Sequence, residues 1–482
     1  MLSGLLPLIA LGQTNARAEL TVDAKFAGGN IVVNEIDGDA ISVRQDLGDT
    51  TGDWFYWYFR ARGAAGRELT VRFTGSNVIG TRGPAISTDG GESWEWLGRE
   101  AVDGQSFRYT VPEEADEVRF CFAIPYFERD LTEFLTQHAD DPHLELTTSA
   151  TTRNGRAVEQ IRLGDLSGDP THRVLLTCRH HCCEMMASYA LEGLMQTVLT
   201  GSDYGRWLRE NVEFLIVPFV DKDGVEQGDQ GKNRAPRDHN RDYAGESIYA
   251  SVGALRETVP AWSGGRLRVA LDLHCPHIRG ESNEKIYFVG IQNQEIWANV
   301  KRFSKVLATV QTGALEYREA DNMPFGQGWN TGNNYTQGRS FSGWASQDLP
   351  GIEVASTIEI PYANVRETTV TPDAARAFGR DVARALREYL ASSVLDPVGA
   401  ASQLTAQRDD GCCRLRSRRH EGVREHDGIR SQLTDEADEV GWVSVDDLER
   451  WHGHERAFLK SATRGLQSPK FRRGWSFSEG HG

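Results

Sequence analysis

The sequence predicts a two-part protein, an antiparallel β-sandwich over residues 19–125 followed by an α/β/α domain with a mixed sheet over residues 126–395. Three observations carry this. The N-terminal part shows short alternating runs separated by turn residues, with no helical period. From about residue 126 the pattern becomes buried apolar runs alternating with amphipathic helices. Beyond residue 395 core-forming residues nearly vanish, so residues 396–482 read as a charged tail, disordered or only partly folded. At 482 residues the chain also exceeds what one hydrophobic core organises.

In the N-terminal part, "DWFYWYFRARG" alternates aromatic and polar side chains from Trp54, and "RELTVRFTG" follows. "STDGGESWEWLG" sets an Asp-Gly-Gly turn between two strand-like runs. "FRYTVPEEADEVRFCFAIPY" supplies two more strands around a polar turn. A short helix is expected over 129–138. Buried strands are then expected at 173–178 ("RVLLTC"), 214–220 ("FLIVPFV"), 266–274 ("RLRVALDLH") and 353–360 ("EVASTIEI"). A helix opening at Glu184 places Leu191, Leu194, Met195 and Val198 on one face. The last helix starts at Thr371-Pro372, a cap followed by proline at the first helical position, with Phe378, Val382, Leu386 and Tyr389 as its stripe.

The formal charge of -16 argues against a nucleic-acid partner, since phosphate binding needs positive patches. No apolar run is long enough to cross a bilayer. Residues 1–18 combine an apolar run from Leu5 to Leu11 with the small-residue site Ala16-Arg17-Ala18, which suits signal cleavage and a periplasmic or secreted protein. No basic segment precedes that run, and without cleavage the expectation is cytoplasmic. Seven cysteines, an odd set with two adjacent pairs, make a poor disulfide framework.

The chemistry concentrates where predicted strands end. In "LLTCRHHCCEMMASY" a buried strand runs into His181, and Glu184 follows after two residues. A third candidate, His274, closes the strand of "VALDLHCP". In α/β proteins the ligand crevice lies at such strand ends, and two histidines with one glutamate and an open fourth position form a catalytic zinc set. Asp272 is placed to support them from behind. Between these ligands lies "GKNRAPRDHNRDY", in which Arg234, Asn240 and Arg241 suit a substrate carboxylate. Glu359, inside the apolar run "ASTIEIPY", is a carboxylate that a buried strand tolerates only for a purpose. There it can act as general base and then general acid.

Taken in order, His181, Glu184, Arg234, Asn240-Arg241, His274 and Glu359 resemble the M14 family of zinc carboxypeptidases. The N-terminal "GDWFYWYFRARGAAGRELTVRF" and "STDGGESWEWLG" look like the β-domain of the cytosolic carboxypeptidase branch. The resemblance covers residues 20–395. It implies one Zn2+ per chain on His181, Glu184 and His274, with Glu359 activating water. It further implies Arg234 at the scissile carbonyl, Asn240 and Arg241 on the C-terminal carboxylate of a peptide or protein, and Tyr335 as the family tyrosine. Three departures stand out. Cys182-Cys183 sits inside the first ligand motif, where relatives carry a small, ordinary pair. Arg237 rivals Arg234, and His180 rivals His181. An amidase or deacylase acting on N-acyl amino acids or cell-wall peptides, and a non-catalytic binding protein, are the competing functions. Arg339 is the one Lys or Arg between Asp321 and Ile358, so a pocket dedicated to glutamate tails is not expected.

Overall fold

A computed structural model of the chain describes residues 18–395, 405–409 and 412–416. Ten short strands come first: β1 (Thr21–Asp23), β2 (Val32–Asp37), β3 (Ala40–Arg44), β4 (Tyr58–Arg62), β5 (Glu68–Phe73), β6 (Ala85–Ser87), β7 (Glu95–Trp96), β8 (Val102–Asp103), β9 (Ser106–Thr110) and β10 (Glu117–Cys121). They form two five-stranded sheets, ordered β1-β4-β10-β6-β7 and β2-β3-β5-β9-β8. Their pairings are antiparallel except that of β3 with β5, which is parallel. Alternation sets the inner face: Leu69, Val71 and Phe73 of β5 are buried while Glu68 and Arg72 are exposed. Rings from both sheets touch, with Phe107 of β9 and Phe120 of β10 at a centroid distance of 5.2 Å and Trp57 at 4.8 Å from Phe73. The polar turn between β9 and β10 is therefore a crossing between sheets, not a hairpin: β9 pairs with β5, and β10 with β4 and β6.

The second part contains α1 (Glu128–Gln137), β11 (Leu144–Thr151), β12 (Ala157–Gly164), β13 (His172–Cys178), α2 (Met186–Leu199), α3 (Asp203–Asn211), β14 (Val212–Val217), α4 (Lys222–Gln227), α5 (Ala250–Ser263) and β15 (Leu267–His274). After these come β16 (Tyr287–Val289), α6 (Gln294–Val310), α7 (Phe341–Asp348), β17 (Val354–Glu359), the short pair β18 (Asn364–Val365) and β19 (Thr368–Thr369), and α8 (Pro372–Leu395). Seven strands make one mixed sheet, β11-β12-β14-β13-β15-β17-β16. Its centre, β14-β13-β15-β17, is parallel, whereas β11, β12 and β16 join antiparallel. Every residue of β14 and β17 is buried. Because successive side chains point to opposite faces, both faces of the sheet are covered.

Two local outcomes differ from the sequence reading. Glu184 does not open α2; it lies in a turn, two residues before Met186. β11, "LELTTSAT", is an edge strand rich in threonine and serine with no fully buried residue, so it carries no hydrophobic period to read. At α8 the reading and the structure agree: the Ala374 N–H donates to Thr371 Oγ1 at 3.2 Å, and Phe378, Val382, Leu386 and Tyr389 are buried. In the tail, β20 (Thr405–Asp409) pairs antiparallel with β21 (Cys412–Arg416). The rest of the tail and residues 1–17, on which the leader reading falls, lie outside the described residues. Among the described residues no helix is long and apolar enough to cross a membrane.

Candidate active site

Because β13, β15 and β17 are adjacent and parallel, their carboxyl ends meet at one edge. His274 ends β15, Glu359 ends β17, and the two are register partners across the strand pair. His181 arrives differently. Just after β13 the chain turns at Arg179, a non-glycine residue in the left-handed region at φ 59°. Its buried guanidinium holds that turn by donating to the carbonyls of Cys182 (2.8 Å) and Tyr126 (2.9 Å) and to Ser188 Oγ (3.1 Å). The turn swings His181 and Glu184 back over the sheet edge.

His181, Glu184 and His274 are all buried, and their ligand atoms converge. His181 Nδ1 lies 2.8 Å from Glu184 Oε1, His274 Nδ1 lies 2.6 Å from Glu184 Oε2, and the two Nδ1 atoms are 3.1 Å apart. The opposite nitrogens face outward: His274 Nε2 is 2.6 Å from Asp272 Oδ2, and His181 Nε2 is 3.8 Å from Asp238 Oδ1. Although burial alone lowers it, Asp272 and Glu184 hold His274 well above the usual histidine range. Burial raises Glu184, but His181 and His274 outweigh this and hold it well below the usual carboxylate range. Two imidazole nitrogens facing each other beside a carboxylate can share a proton or hold a cation between them. A set of two nitrogens and a carboxylate oxygen, backed by carboxylates behind the imidazoles, fits zinc.

His180 belongs to the support behind this group. Its Nδ1 is 2.8 Å from Asp272 Oδ1 and its Nε2 is 2.8 Å from the Tyr243 hydroxyl, so both nitrogens are engaged. Asp272 also accepts from Thr177 Oγ1 at 2.8 Å and thereby orients both His180 and His274. The cysteines of the ligand motif point elsewhere: Cys182 Sγ meets the Asp229 carbonyl at 3.0 Å and Cys183 Sγ lies 3.9 Å from the Tyr362 hydroxyl. Burial raises both thiols, Cys183 to about 12, which keeps them protonated.

Glu359 is buried, and its Oε2 has no hydrogen-bond partner. Burial pushes its carboxyl up to about 8, with the attraction of His274 opposing and the repulsion of Glu184 adding. Asn240 is tethered, its Nδ2 3.3 Å from His274 Nε2 and its Oδ1 accepting from the Phe341 N–H at 2.9 Å. Arg241 donates through Nε to the Asn334 carbonyl (2.9 Å) and through Nη1 to that of Asn240 (2.8 Å), and its guanidinium carbon stands 4.8 Å from the centroid of the Tyr335 ring. Tyr335 borders a cavity of about 440 Å³ whose wall includes Ile291, Asn293, Phe325 and Arg339. Arg339 is already paired there, donating to Asp348 Oδ1 at 2.9 Å and Oδ2 at 2.6 Å.

Both terminal nitrogens of Arg234 are engaged, Nη1 donating to both oxygens of Asp49 (2.7 and 2.8 Å) and Nη2 to Asp221 (2.7 Å) and Asp229 (2.9 Å), whereas its Nε is buried without a partner. Its rival Arg237 is committed as well, to Asp242 Oδ1 and the Glu246 carbonyl, each at 2.6 Å. Lys232 approaches His181 from behind, with Nζ 3.3 Å from the outward Nε2. The physical reason is the path of the loop. Gly231 and Asn233 take left-handed conformations at φ 74° and 52°, sending Lys232 and Arg234 to different neighbours. Spacing alone does not reveal this; the glycine before Lys232 was the one available signal.

At the parallel strand ends of a mixed α/β sheet, a two-histidine, one-glutamate group that could hold a metal ion thus accompanies a lone buried glutamate. Comparison with known proteins narrows the class. Residues 131–259 match the family model described as zinc carboxypeptidase. The chain is 26% identical over 285 residues to cytosolic carboxypeptidase 3 of Mus musculus, a match spanning 51% of this chain and 27% of that protein. It is also 26% identical to an uncharacterised protein of Zymomonas mobilis, over 47% of this chain and 60% of the other. The chain thus spans less than two thirds of the length of these curated relatives. Its fold resembles the crystal structure of a metallo-carboxypeptidase from Burkholderia cenocepacia, with TM-score 0.65 and 20% identity, covering 78% of this chain and all of that one. By sequence over residues 131–259 the chain thus matches the zinc carboxypeptidase family model, and its fold resembles that of the bacterial metallo-carboxypeptidase.

Proposed function

We propose that this protein is a zinc-dependent carboxypeptidase that hydrolyses the C-terminal amide bond of a peptide or protein. The observation that carries the reading is the meeting of the two Nδ1 atoms and Glu184 beside Glu359, a buried carboxylate whose Oε2 lacks a partner. His181, Glu184 and His274 would hold one zinc ion, which when bound supplies Lewis acidity and makes water a nucleophile near neutral pH. Arg241, with Tyr335 against its face, is the cation suited to the terminal carboxylate. The neighbouring cavity takes the last side chain. Glu359 accepts the proton of the attacking water and passes it to the leaving amine, a relay helped by a carboxyl that burial has pushed up to about 8. The pairing of Arg339 with Asp348 leaves no uncommitted cation among the described cavity residues, so neutral C-terminal side chains are preferred over glutamate. We read the two N-terminal sheets as a β-sandwich domain over 19–125 and residues 126–395 as the catalytic domain. Their ring contacts and alternating burial support the sandwich.

The test is to incubate the zinc-loaded protein with a peptide library and follow release of single C-terminal residues by mass spectrometry, before and after chelation. Release that a chelator stops and zinc restores is expected. Cleavage of N-acyl amino acids or amidated peptides with free-acid peptides left intact would replace this reading with an amidase.

A further inference from the structure

The cavity of about 440 Å³ beside Tyr335 adjoins the groups suited to a terminal carboxylate. Tyr335, on its wall, lies against the Arg241 guanidinium at 4.8 Å, and Arg339, also on the wall, accepts at its carbonyl from the Tyr243 N–H at 3.2 Å. A carboxylate and a side chain that leave one α-carbon must be taken by adjoining sites, and this cavity meets that condition. The wall is held in place. Tyr335 donates its hydroxyl proton to Asn330 Oδ1 at 2.8 Å, and Asn330 Nδ2 donates to the Gly290 carbonyl at 2.8 Å, which ties the ring to the end of β16. Phe325 stacks beside it at a centroid distance of 6.3 Å and an interplanar angle of 30°.

Most polar groups of the wall are engaged within the protein. Arg339 is paired with Asp348 and Gln347, Ser346 Oγ donates to the Gly343 carbonyl at 3.0 Å, and Ser340 Oγ accepts from the Gly343 N–H at 3.2 Å. Asn293 Oδ1 is taken by the N–H groups of Glu295 and Ile296. What remains is mostly apolar: Ala244, Ile291, the rings of Phe325 and Tyr335, and four glycines. Two of the glycines are explained by close backbone approach. A Cβ at Gly338 would lie 2.0 Å from the Arg241 carbonyl oxygen, and one at Gly290 2.7 Å from the Phe325 nitrogen. Gly343 has no such reason. It lies in the first turn of α7, where the nearest atoms to an added Cβ would be Arg339 Cγ and Ser340 Oγ, both in side chains and both at 3.2 Å. Glycine weakens a helix relative to alanine, so a glycine that no backbone neighbour demands leaves space for something else. Gly343, Ser346 and Gln347 are three and four residues apart, so one face of α7 forms this wall.

We propose that this cavity admits an aromatic C-terminal side chain, that of phenylalanine, tyrosine or tryptophan, and that Gly343 is the specificity-determining residue that opens it; this rests on the carboxypeptidase reading above. An apolar wall rewards the area that a ring removes from water, whereas a small terminal residue leaves most of the volume of about 440 Å³ unfilled. A flat ring also packs beside the Phe325–Tyr335 pair, stacked or edge-on. An acidic terminal side chain meets an arginine that already serves Asp348. A leucine side chain grown from Gly343 enters the same volume and excludes the ring.

The test uses the zinc-loaded full chain as wild type, Gly343→Leu and Ser346→Leu, with zinc content and melting temperature recorded for each. The substrates are peptides identical except for a last residue of phenylalanine, alanine or glutamate, together with the matching N-acetyl amino acids, and kcat/KM is measured for release of that residue. Wild type should favour phenylalanine over alanine by about a hundredfold or more, since each methylene in an apolar pocket is worth roughly tenfold or more. Gly343→Leu should cut that ratio at least about tenfold. Ser346→Leu, on the same face of α7, should cut it as well and decides the matter if Gly343→Leu does not fold. Peptides trimmed without preference for phenylalanine overturn the assignment and leave the carboxypeptidase reading intact. So does a folded, zinc-loaded Gly343→Leu, or in its place Ser346→Leu, that keeps the wild-type ratio. If N-acetyl-phenylalanine is cleaved in preference to N-acetyl-alanine while no peptide is trimmed, the carboxypeptidase reading falls and the aromatic cavity stands; if neither class is cleaved, both fall.

Discussion

Two clusters share the turn around Cys182, and they differ in how their charges pair. In the cage around Arg234, both terminal nitrogens of the guanidinium are taken by Asp49, Asp221 and Asp229, a set that ties the segment after β3 to the loop after β14. In the group of His181, Glu184 and His274, two Nδ1 atoms face each other at 3.1 Å, and Glu359 beside them has an unpartnered Oε2. Cys182 lies within reach of the cage, 3.8 Å from Arg234 Nη2, yet belongs to the ligand motif. The lesson is physical: opposite charges that pair directly, as Arg234 does with three carboxylates while only its Nε stays unpartnered, hold structure, whereas two imidazoles and two carboxylates gathered without a paired Lys or Arg are suited to a cation.

The comparison can be broken or sharpened in four ways. The largest effect is expected from His274→Ala, which should abolish zinc binding and peptidase activity together, measured by metal analysis and turnover. Activity that survives without bound metal would mean that the open cluster is not a metal site. Next, Glu359→Gln should bind zinc normally and melt near wild type, yet lose roughly a hundredfold or more in kcat. More than about a tenth of wild-type kcat remaining would remove Glu359 from the role of base.

Arg234→Met should act on stability instead. Removing one partner of a buried ion-pair set costs roughly 3–5 kcal/mol, read by denaturant unfolding of zinc-free protein. Zinc-loaded, folded Arg234→Met should keep most of its kcat, and a folded variant that loses kcat with KM and zinc unchanged would return Arg234 to the catalytic machinery. The smallest effect belongs to His172 at the start of β13, far along the strand from both clusters. It is buried with both ring nitrogens unpartnered, and burial, with the nearby Arg268, lowers it from 6.5 to about 4. A folded value below the unfolded one favours the neutral form, so this contribution is complete above pH 6.5 and is lost as the pH falls toward 4. His172→Gln should therefore flatten the acid limb of the stability curve by up to about one proton, and an unchanged limb would assign the acid sensitivity to other groups.

Much of the site was legible because strand ends and buried runs are written locally. His274 and Glu359 each close a mostly apolar run, and a carboxylate or imidazole in that position signals chemistry before any coordinates exist. His181 was harder, since His180 beside it is equally buried; the engagement of both His180 nitrogens by Asp272 and Tyr243 separates them, and those partners lie far off in the chain. The edge strand β11 and the parallel pairing of β3 with β5 left no pattern, because pairing partners and edge positions are properties of the assembled sheet.

By itself the sequence determined the strands that end at one edge, the residue types there that can hold zinc and move a proton, and the cap and stripe of the last helix. These depend on periodicity and on the cost of burying charge, both of which act over a few residues. Only the tertiary structure decided which cation serves which partner. The choice between Lys232 and Arg234 turns on two left-handed backbone positions and on Asp49 and Thr50, contributed from more than a hundred positions away in the chain. Electrostatic pairing is set by distance in space, and until the segment carrying Asp49 and Thr50 packs against this loop its basic residues differ only in their place along the chain.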